Sequence, residues 1–278
     1  SFAPAILLGM GSLGLVVHAH ETQPQLAQLA GMALCFAGLG ELSEHPRRAG
    51  IQAGLGAALA FLASGLSGLA FTIPVIVLTP LLCARCRSRT ALGSIALGLG
   101  LTALISALWL SAVAHHAPGE VTLWWQEELA STLPHASHVS EIGKLLQLFG
   151  WFAWPLWPIA GWAVWRNRQA IASPQLALPL TGSVLAIFLV ATTGGLRTAG
   201  LLPVLPPLCL LAAFGVSSLR RGAANAFDWF GVMTFIFFGI VVWLGWSALH
   251  FGWPPGLARQ VARMAPDFQH GAWLAGAL

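Results

Sequence analysis

A dense run of polar side chains near residue 20 contains the strongest candidates for chemistry. Its members include the predicted substrate-binding residues His18, His20, Glu21 and Gln23, with apolar stretches on both sides. Glu21 beside His20 can position a proton or a hydroxyl group. Ionisable side chains at a membrane edge are costly unless they face a polar cavity. We therefore expect a site for a polar substrate; the alternative is an interfacial turn with ordinary headgroup hydrogen bonds.

The second candidate is Arg197, a single basic residue between two apolar stretches. An arginine there can clamp the phosphate of a lipid, or it can extend its side chain to phospholipid headgroups. The following stretch contains Pro203, Pro206 and Pro207. Prolines interrupt helical hydrogen bonding and free carbonyl groups, which membrane proteins tolerate mainly beside a cavity or other helices. We predict that Arg197 helps to bind the phosphate of the substrate.

A third polar segment contains residue types that bind metals, without a strong pattern. His135 and His138 are three residues apart, Glu141 follows, and Lys144 is grouped with the substrate-binding candidates. One pair of histidines without a predicted helix beneath it is a weak metal signal. We therefore predict a solvated loop or one that contacts headgroups, and no cofactor, with a divalent metal as the open alternative.

Four cysteines add little chemistry to these candidates. Cys83 and Cys86 form a single CxxC pair among arginines, and a structural metal site of this type needs a second pair. We expect reduced structural thiols there. Cys35 and Cys209 lie within apolar stretches and are expected to act as small packing residues.

The elements that position these residues are predicted to be transmembrane helices. Apolar residues make up 57% of the 278 residues and charged residues 8%, against roughly 25% charged in a typical soluble domain. A crossing takes roughly 20 helical residues, and the alternation typical of a β-barrel is not visible. We predict an all-α polytopic fold with about nine spans, near residues 2–17, 26–43, 50–67, 69–84, 92–114, 147–165, 175–194, 200–218 and 229–250. Frequent glycines, among them Gly31, Gly38, Gly54, Gly56, Gly93, Gly98 and Gly100, predict close contacts between helices.

The charges are sorted by loop. Nine of the thirteen lysines and arginines lie in four alternate loops, at Arg47 and Arg48, at Arg85, Arg87 and Arg89, at Arg166 and Arg168, and at Arg220 and Arg221. Loops rich in basic residues stay cytoplasmic, so the histidine-bearing loops are predicted to be external. Arginines near lipid headgroups account for the net charge of +4, and we expect membrane lipids as partners and no nucleic acid.

The longest external loop, residues 115–146, is predicted to contain a helix that lies in the membrane interface. Apolar residues recur at roughly helical spacing between Glu120 and Leu133, with acidic residues between them. Trp124 and Trp125 are expected to anchor this helix, because tryptophan prefers the boundary between lipid and water.

Five segments carry a resemblance to a known family. They are LVVHAHETQPQLAQLAG (15–31), GLGAALAFLASGL (54–66), LFGWFAWPLWPIAGWAVWR (148–166), LLPVLPPLCLLAA (201–213) and RRGAANAFDWFGVMTF (220–235). In this order and spacing they resemble bacterial membrane glycosyltransferases of the protein-mannosyltransferase and lipid A aminoarabinose-transferase type, which have the GT-C fold. The resemblance implies transfer of a sugar, with inversion, from a polyprenyl-phosphate donor to a lipid or protein acceptor on the external face of the bacterial inner membrane. An acidic general base and basic residues that hold the leaving phosphate belong to the same expectation.

The chain departs from this family in one loop and at several positions. The family's catalytic acid lies in a first external loop near the N-terminus, and nothing here corresponds to it. We therefore predict that residues 1–278 form a single transmembrane domain, the C-terminal portion of such an enzyme, with the catalytic acid elsewhere. Many relatives carry an acidic residue at the position of Gln25, a lysine at Ser64 and a tyrosine at Gly200.

Two functions of other classes stay open. A transporter or flippase for an amphipathic lipid would use the same polar ends, but it would need polar or charged residues near mid-membrane. The apolar stretches contain few such residues. A non-catalytic subunit of an envelope assembly would also lack the acidic loop. We predict the glycosyltransferase because the resemblance extends over nearly the whole chain.

Overall fold

The computed structural model describes residues 3–132, 142–192, 198–216 and 221–264, and these ranges are helical with short connections and contain no strand. They fall into two units, residues 1–218 and 219–278. The first contains α1 (Ala3–Met10), α2 (Leu13–His18), α3 (Pro24–Glu41), α4 (Pro46–Leu82), α5 (Arg89–His116), α6 (Pro118–Thr132), α7 (Ile142–Phe152), α8 (Leu156–Arg166), α9 (Pro174–Thr192) and α10 (Leu205–Val216). The second contains α11 (Arg221–Phe251) and α12 (Pro255–Met264).

Five helical segments are long and apolar enough to cross a membrane, so the prediction of about nine spans is not supported. They are Pro46–Leu82, Arg89–His116, Pro174–Thr192, Thr198–Val216 and Gly231–Phe251. The all-α prediction and the multi-pass membrane prediction are supported by the same helices.

The shortfall has local causes in three predicted spans. The span at 2–17 is broken between α1 and α2, where the Ser12 hydroxyl donates to the Gly9 carbonyl at 2.7 Å. The span at 147–165 is broken between α7 and α8, at Pro155, which has no amide hydrogen to continue a helix. The span at 26–43 corresponds to α3, an 18-residue helix whose glutamines lower its hydropathy.

The long helix α4 folds back on itself at Ser64 and Gly65, whose backbone angles are not helical. A methyl group at Gly68 would collide with the carbonyl oxygen of Ala60. In a straight helix these two residues would be about 12 Å apart along the axis, so the chain must reverse between them. The limbs 46–63 and 66–82 are therefore antiparallel, and their junction lies close to the predicted boundary between spans 50–67 and 69–84.

Glycines bring α3, α4 and α5 together at backbone distance. A methyl group at Gly31 would collide with Gly56 of α4, and one at Gly54 would collide with Gly98 of α5. The Thr102 hydroxyl on α5 donates to the Gly54 carbonyl at 2.9 Å across the same interface. These positions confirm the predicted packing role. The prediction of a close helix contact was wrong for Gly93 and Gly100, because a side chain at either position would meet open space.

The arginine-bearing loops of the first unit meet at one end of its helices. Residues 43–44, 83–87 and 172–175 line a common cavity there with the last turns of α10. We call residues 43–48, 83–89 and 166–175 the arginine end. The opposite end, residues 18–25, 64–67 and 115–132, is called the polar end. Its last two segments lie together because α6 contacts both α4 and α5, and residues 18–25 lie at the same end because α3 packs antiparallel to the first limb of α4.

Candidate functional site

The polar run predicted from the sequence folds into a small hydrogen-bonded cluster. His18 is the last residue of α2 and Gln23 is the N-cap of α3, whose first residue is Pro24. The Nδ1 atom of His18 lies 2.5 Å from Oε2 of Glu21, and Nε2 of Gln23 donates to the same oxygen at 2.6 Å. A single carboxylate oxygen therefore holds an imidazole and an amide in fixed relative positions.

The packing of α2 against α7 fixes the imidazole from its other side. His18 is only 5% exposed, and its ring lies 6.1 Å from the ring of Phe152. A side chain at position 14 would occupy the space of the Phe152 ring, so Gly14 allows this approach. The first amide of α2, from Leu13, donates to the Trp154 carbonyl at 3.1 Å. The histidine is therefore held in place by the packing of α2 against α7 and by its contact with Glu21.

The other predicted site residues are distributed differently. His20 is exposed and makes no hydrogen bond or ion pair among the described residues. Lys144 is exposed in the first turn of α7, the helix that also carries Phe152. Arg197 lies outside the described residues, and so does the segment with His135, His138 and Glu141. Their predicted roles stay predictions.

Sequence analysis missed Glu128 of α6, which closes the turn in α4. Its Oε2 atom accepts the backbone amide of Leu66 at 3.0 Å, at the start of the second limb of α4. A carboxylate at a helix N-terminus satisfies unpaired amides and interacts favourably with the helix dipole. Burial raises the pKa of the Glu128 carboxyl, against the opposing effect of its backbone hydrogen bonds from Leu66 and Ser67. The partners are 62 residues apart, so no local pattern identifies them.

Aromatic rings hold α6 against α4 and α5 near the turn in α4. The helix predicted in this loop is present as Pro118–Thr132, and its position in the membrane interface stays a prediction. Its two tryptophans differ. Trp124 packs edge to face with Phe61 of α4 and Trp109 of α5, with ring centroids 6.3 and 5.7 Å away. Trp125 is exposed. The first ring joins α6 to the bundle, and only the second has the exposure expected of a membrane anchor.

Two unpaired polar groups lie near this turn and were also missed. Gln28 is 2% exposed, and its Nε2 atom has no hydrogen-bond partner; the same holds for the hydroxyl of Ser64. Because α3 and the first limb of α4 are antiparallel with Gly31 against Ala60, Gln28 lies one turn further toward Ser64. Buried donors without a partner are rare in proteins and call for an explanation such as a ligand or water.

The arginine end has a different arrangement of charge. Arg87 donates from Nε to the Pro80 carbonyl at 2.8 Å and from Nη2 to the Leu81 carbonyl at 3.1 Å, at the end of α4. The thiols of Cys83 and Cys86 are free and buried. Burial, with a hydrogen bond between the two side chains, raises the pKa of Cys86 to about 12. A protonated thiol is a poor metal ligand and a poor nucleophile.

Searches of family models, curated proteins and solved structures found no match to this chain. Within the described ranges, no group of three or more histidine, cysteine or acidic side chains has a geometry that would hold a metal ion. The candidate functional residues are therefore those of the polar end and of the arginine end.

Proposed function

We propose that this protein is a multi-pass membrane glycosyltransferase that moves a hexosyl or pentosyl group from a polyprenyl-phosphate donor to a lipid or protein acceptor. The observation that carries the proposal is the cluster of His18, Glu21 and Gln23, buried in part at one end of a bundle of apolar helices. A carbohydrate presents hydroxyl groups at the level where its lipid carrier enters the membrane. A cluster of donors and acceptors at a helix end is placed to bind them.

In this proposal, the cluster orients a hydroxyl group. In the neutral imidazole, an Nδ1–H group of His18 that donates to the Glu21 carboxylate leaves Nε2 as an acceptor. Nε2 makes no hydrogen bond among the described residues, so it can accept one from a sugar or acceptor hydroxyl. Gln23 holds the carboxylate in place. Lys144 and Arg197 are proposed to bind the donor phosphate, whose negative charge increases as the glycosidic bond breaks.

The unpaired groups of Gln28 and Ser64 support a polar ligand at the same end. Each is a group that a sugar hydroxyl or a bound water would satisfy. We propose that they extend the binding surface from the start of α3 to the turn in α4. Glu128 then acts as a positioning residue, since its contact with Leu66 fixes that turn.

The membrane assignment in this proposal follows the charge pattern. The polar end faces the periplasm and the arginine end faces the cytoplasm of a bacterial inner membrane, because basic loops stay on the cytoplasmic side. Buried hydroxyls within the spans bond mostly to the carbonyl four residues earlier in their own helix, as Thr72, Thr79 and Ser183 do. Such hydroxyls do not form a polar path across a membrane, which favours a transferase over a transporter or flippase.

The test is transfer of radiolabelled sugar by the full-length protein in liposomes. A panel of polyprenyl-phosphate hexoses and pentoses serves as donor, with a membrane extract as acceptor. Loss of one hydrogen bond to a charged group costs about 1.5–3 kcal/mol, so His18→Ala and Glu21→Gln should each lower kcat/KM roughly 10- to 150-fold. His116→Ala, at the exposed end of α5, is the matched control and should transfer at the wild-type rate.

Other outcomes would replace the proposal. The same liposomes are assayed for translocation of a fluorescent polyprenyl-phosphate lipid from the inner to the outer leaflet. Translocation without sugar transfer would make the protein a flippase. If the protein shows neither sugar transfer nor translocation, the non-catalytic envelope subunit is favoured. Transfer that is equally fast in wild type, His18→Ala and Glu21→Gln would keep the enzyme but remove the cluster from its site.

A further inference from the structure

A large cavity opens at the arginine end, on the side of the molecule away from the proposed glycosyltransferase site. Its volume is about 1120 Å³, and its walls come from α1, α3, α4, α9, α10 and the Cys83–Arg87 turn. Cavities that enclose small ligands are commonly about 300–1,000 Å³. This one is therefore large enough for a lipid headgroup and the adjoining part of its chains.

One part of the cavity is lined by apolar side chains. Phe36 and Leu39 of α3 are buried there, and Leu178 of α9 with Leu210 and Phe214 of α10 complete the apolar wall. These residues belong to helices of membrane-spanning character or pack against them. An acyl chain would find there the same kind of surface that it contacts in the bilayer.

The rim carries two opposite charges that do not pair with each other. Glu44, after the end of α3, and Arg85, in the Cys83–Arg87 turn, both line the cavity and are exposed. Neither makes a salt bridge or side-chain hydrogen bond within the part of the chain that the structure describes. Arg87 differs, because its guanidinium is bonded to the carbonyls of Pro80 and Leu81.

We infer that this cavity binds one phospholipid with a phosphoethanolamine headgroup. Its phosphate lies against Arg85, its primary ammonium lies against Glu44, and its acyl chains follow the apolar wall. A zwitterion satisfies both separated charges at once, whereas a purely anionic headgroup would place a negative charge next to Glu44. Arg85 suits the phosphate because a guanidinium binds phosphate oxygens through two parallel hydrogen bonds.

The site is tested by native mass spectrometry of the full chain, delipidated in detergent and titrated with defined lipids. Phosphatidylethanolamine should bind with one molecule per chain and several-fold more tightly than phosphatidylcholine, whose quaternary ammonium cannot donate to Glu44. Arg85→Gln should weaken both lipids by roughly tenfold or more, the effect of losing a direct hydrogen bond to a charged group. Arg48→Gln removes a charge from the same end outside the cavity lining and should change neither affinity.

Two further variants separate headgroup from chain contacts. Glu44→Gln should abolish the preference for phosphatidylethanolamine over phosphatidylcholine while both lipids still bind. Ala213→Trp, which fills the cavity from α10, should weaken all lipids, and the unfolding temperature of each variant is measured in the same detergent to confirm folding.

Three results would overturn the inference. Equal affinity of wild type for the two lipids would remove the headgroup assignment, and equal losses in Arg85→Gln and Arg48→Gln would indicate diffuse attraction. Displacement of the lipid by millimolar inorganic phosphate would indicate a site for free phosphate. None of these measurements depends on sugar transfer. Failure of the lipid inference would therefore leave the proposed function unchanged, and failure of the proposed function would leave the lipid inference unchanged.

Discussion

The two ends of the helical bundle use charged side chains in opposite ways. At the polar end, Glu21 and Glu128 are both engaged, one with His18 and Gln23 and the other with the backbone of α4. At the arginine end, Arg87 is engaged with backbone carbonyls, but Arg85 has no partner among the described residues. Hydrogen bonds therefore fix these two carboxylates at the polar end, whereas Arg85 leaves a charge available at the surface of the arginine end.

This difference is what two membrane surfaces with different tasks would require. A site that binds a specific substrate gains from groups that are already oriented, because less ordering is needed on binding. A face that lies against anionic or zwitterionic headgroups needs only accessible basic groups at the right depth.

The largest effect is expected in accessibility to a membrane-impermeant thiol reagent. In a background with the four native cysteines replaced by alanine, Gln126→Cys on α6 should be labelled in intact cells and Arg48→Cys should not. The reason is that loops rich in basic residues are expected on the cytoplasmic side. Permeabilised cells, in which both positions should react, provide the control. Labelling of position 48 from outside intact cells would reverse the two ends and relocate every proposed site.

The second prediction concerns Arg197 and the donor phosphate. Loss of a charge-assisted contact costs about 1.5–3 kcal/mol, so Arg197→Ala should weaken transfer roughly 10- to 150-fold without loss of folding. Arg197→Lys should recover only part of the activity, because an ammonium group lacks the planar fork of a guanidinium. Turnover and donor affinity are measured in liposomes at equal protein amounts. Wild-type values in the alanine variant would reduce Arg197 to a headgroup anchor.

Continuous apolar runs made part of the fold predictable from the sequence. The predicted spans 92–114 and 175–194 coincide with the cores of α5 and α9, which need no partner to be recognised as membrane helices. Pro155 marks one break in the sequence itself, but the break between α1 and α2 was not predictable in the same way. The first amide of α2 is taken by the carbonyl of Trp154, a residue far along the chain, and such contacts leave no periodic pattern.

The candidate site also has one part that could be predicted from the sequence and one part that could not. The residues around Glu21 could be predicted as candidates because they lie within six residues of one another, but the sequence paired Glu21 with His20 and the structure pairs it with His18. The contact of Glu128 with Leu66 was not, because it depends on a chain reversal at Gly65 and on the position of α6. Gln28 was not identified either, since a glutamine in an apolar helix becomes informative only once its burial is known.

The third prediction tests the turn that shapes the polar end. Gly65 has a φ of 57°, and a methyl group there would collide with the Glu128 carboxylate. Gly65→Ala combines a backbone conformation that costs about 1–3 kcal/mol in other residues with displacement of the cap on Leu66. The unfolding temperature in detergent should fall clearly. Gly100→Ala, which meets open space in α5, is the control and should not lower it; an equal fall in both variants would contradict this account of the turn.

The fourth prediction examines Arg87, whose guanidinium is bonded to backbone carbonyls at the opposite end. Arg87→Gln removes a positive charge and two hydrogen bonds from the end of α4, where cations contribute about 0.3–1 kcal/mol. Arg89 is the first residue of α5, where the helix dipole disfavours a positive charge. Arg89→Gln should therefore leave the unfolding temperature unchanged or raise it slightly, whereas Arg87→Gln should lower it. A fall of equal size in both variants would show that charge at this end acts only collectively.

The smallest effect is expected in the pH dependence of stability through Glu128. Because burial raises the pKa of this carboxyl in the folded protein, the folded state holds its proton to a higher pH than the unfolded state does. Stability should therefore decrease as pH rises from the ordinary glutamate pKa through the raised one, and then level off. Glu128→Gln should remove this slope, since an amide oxygen can still accept from Leu66 without carrying charge. Glu127→Gln, on the exposed side of α6, should keep the slope. Unfolding in detergent between pH 4 and pH 8 measures the slope for both variants. If the slope persists in Glu128→Gln, it belongs to another group, and Glu128 is a cap without a pH-dependent contribution to stability.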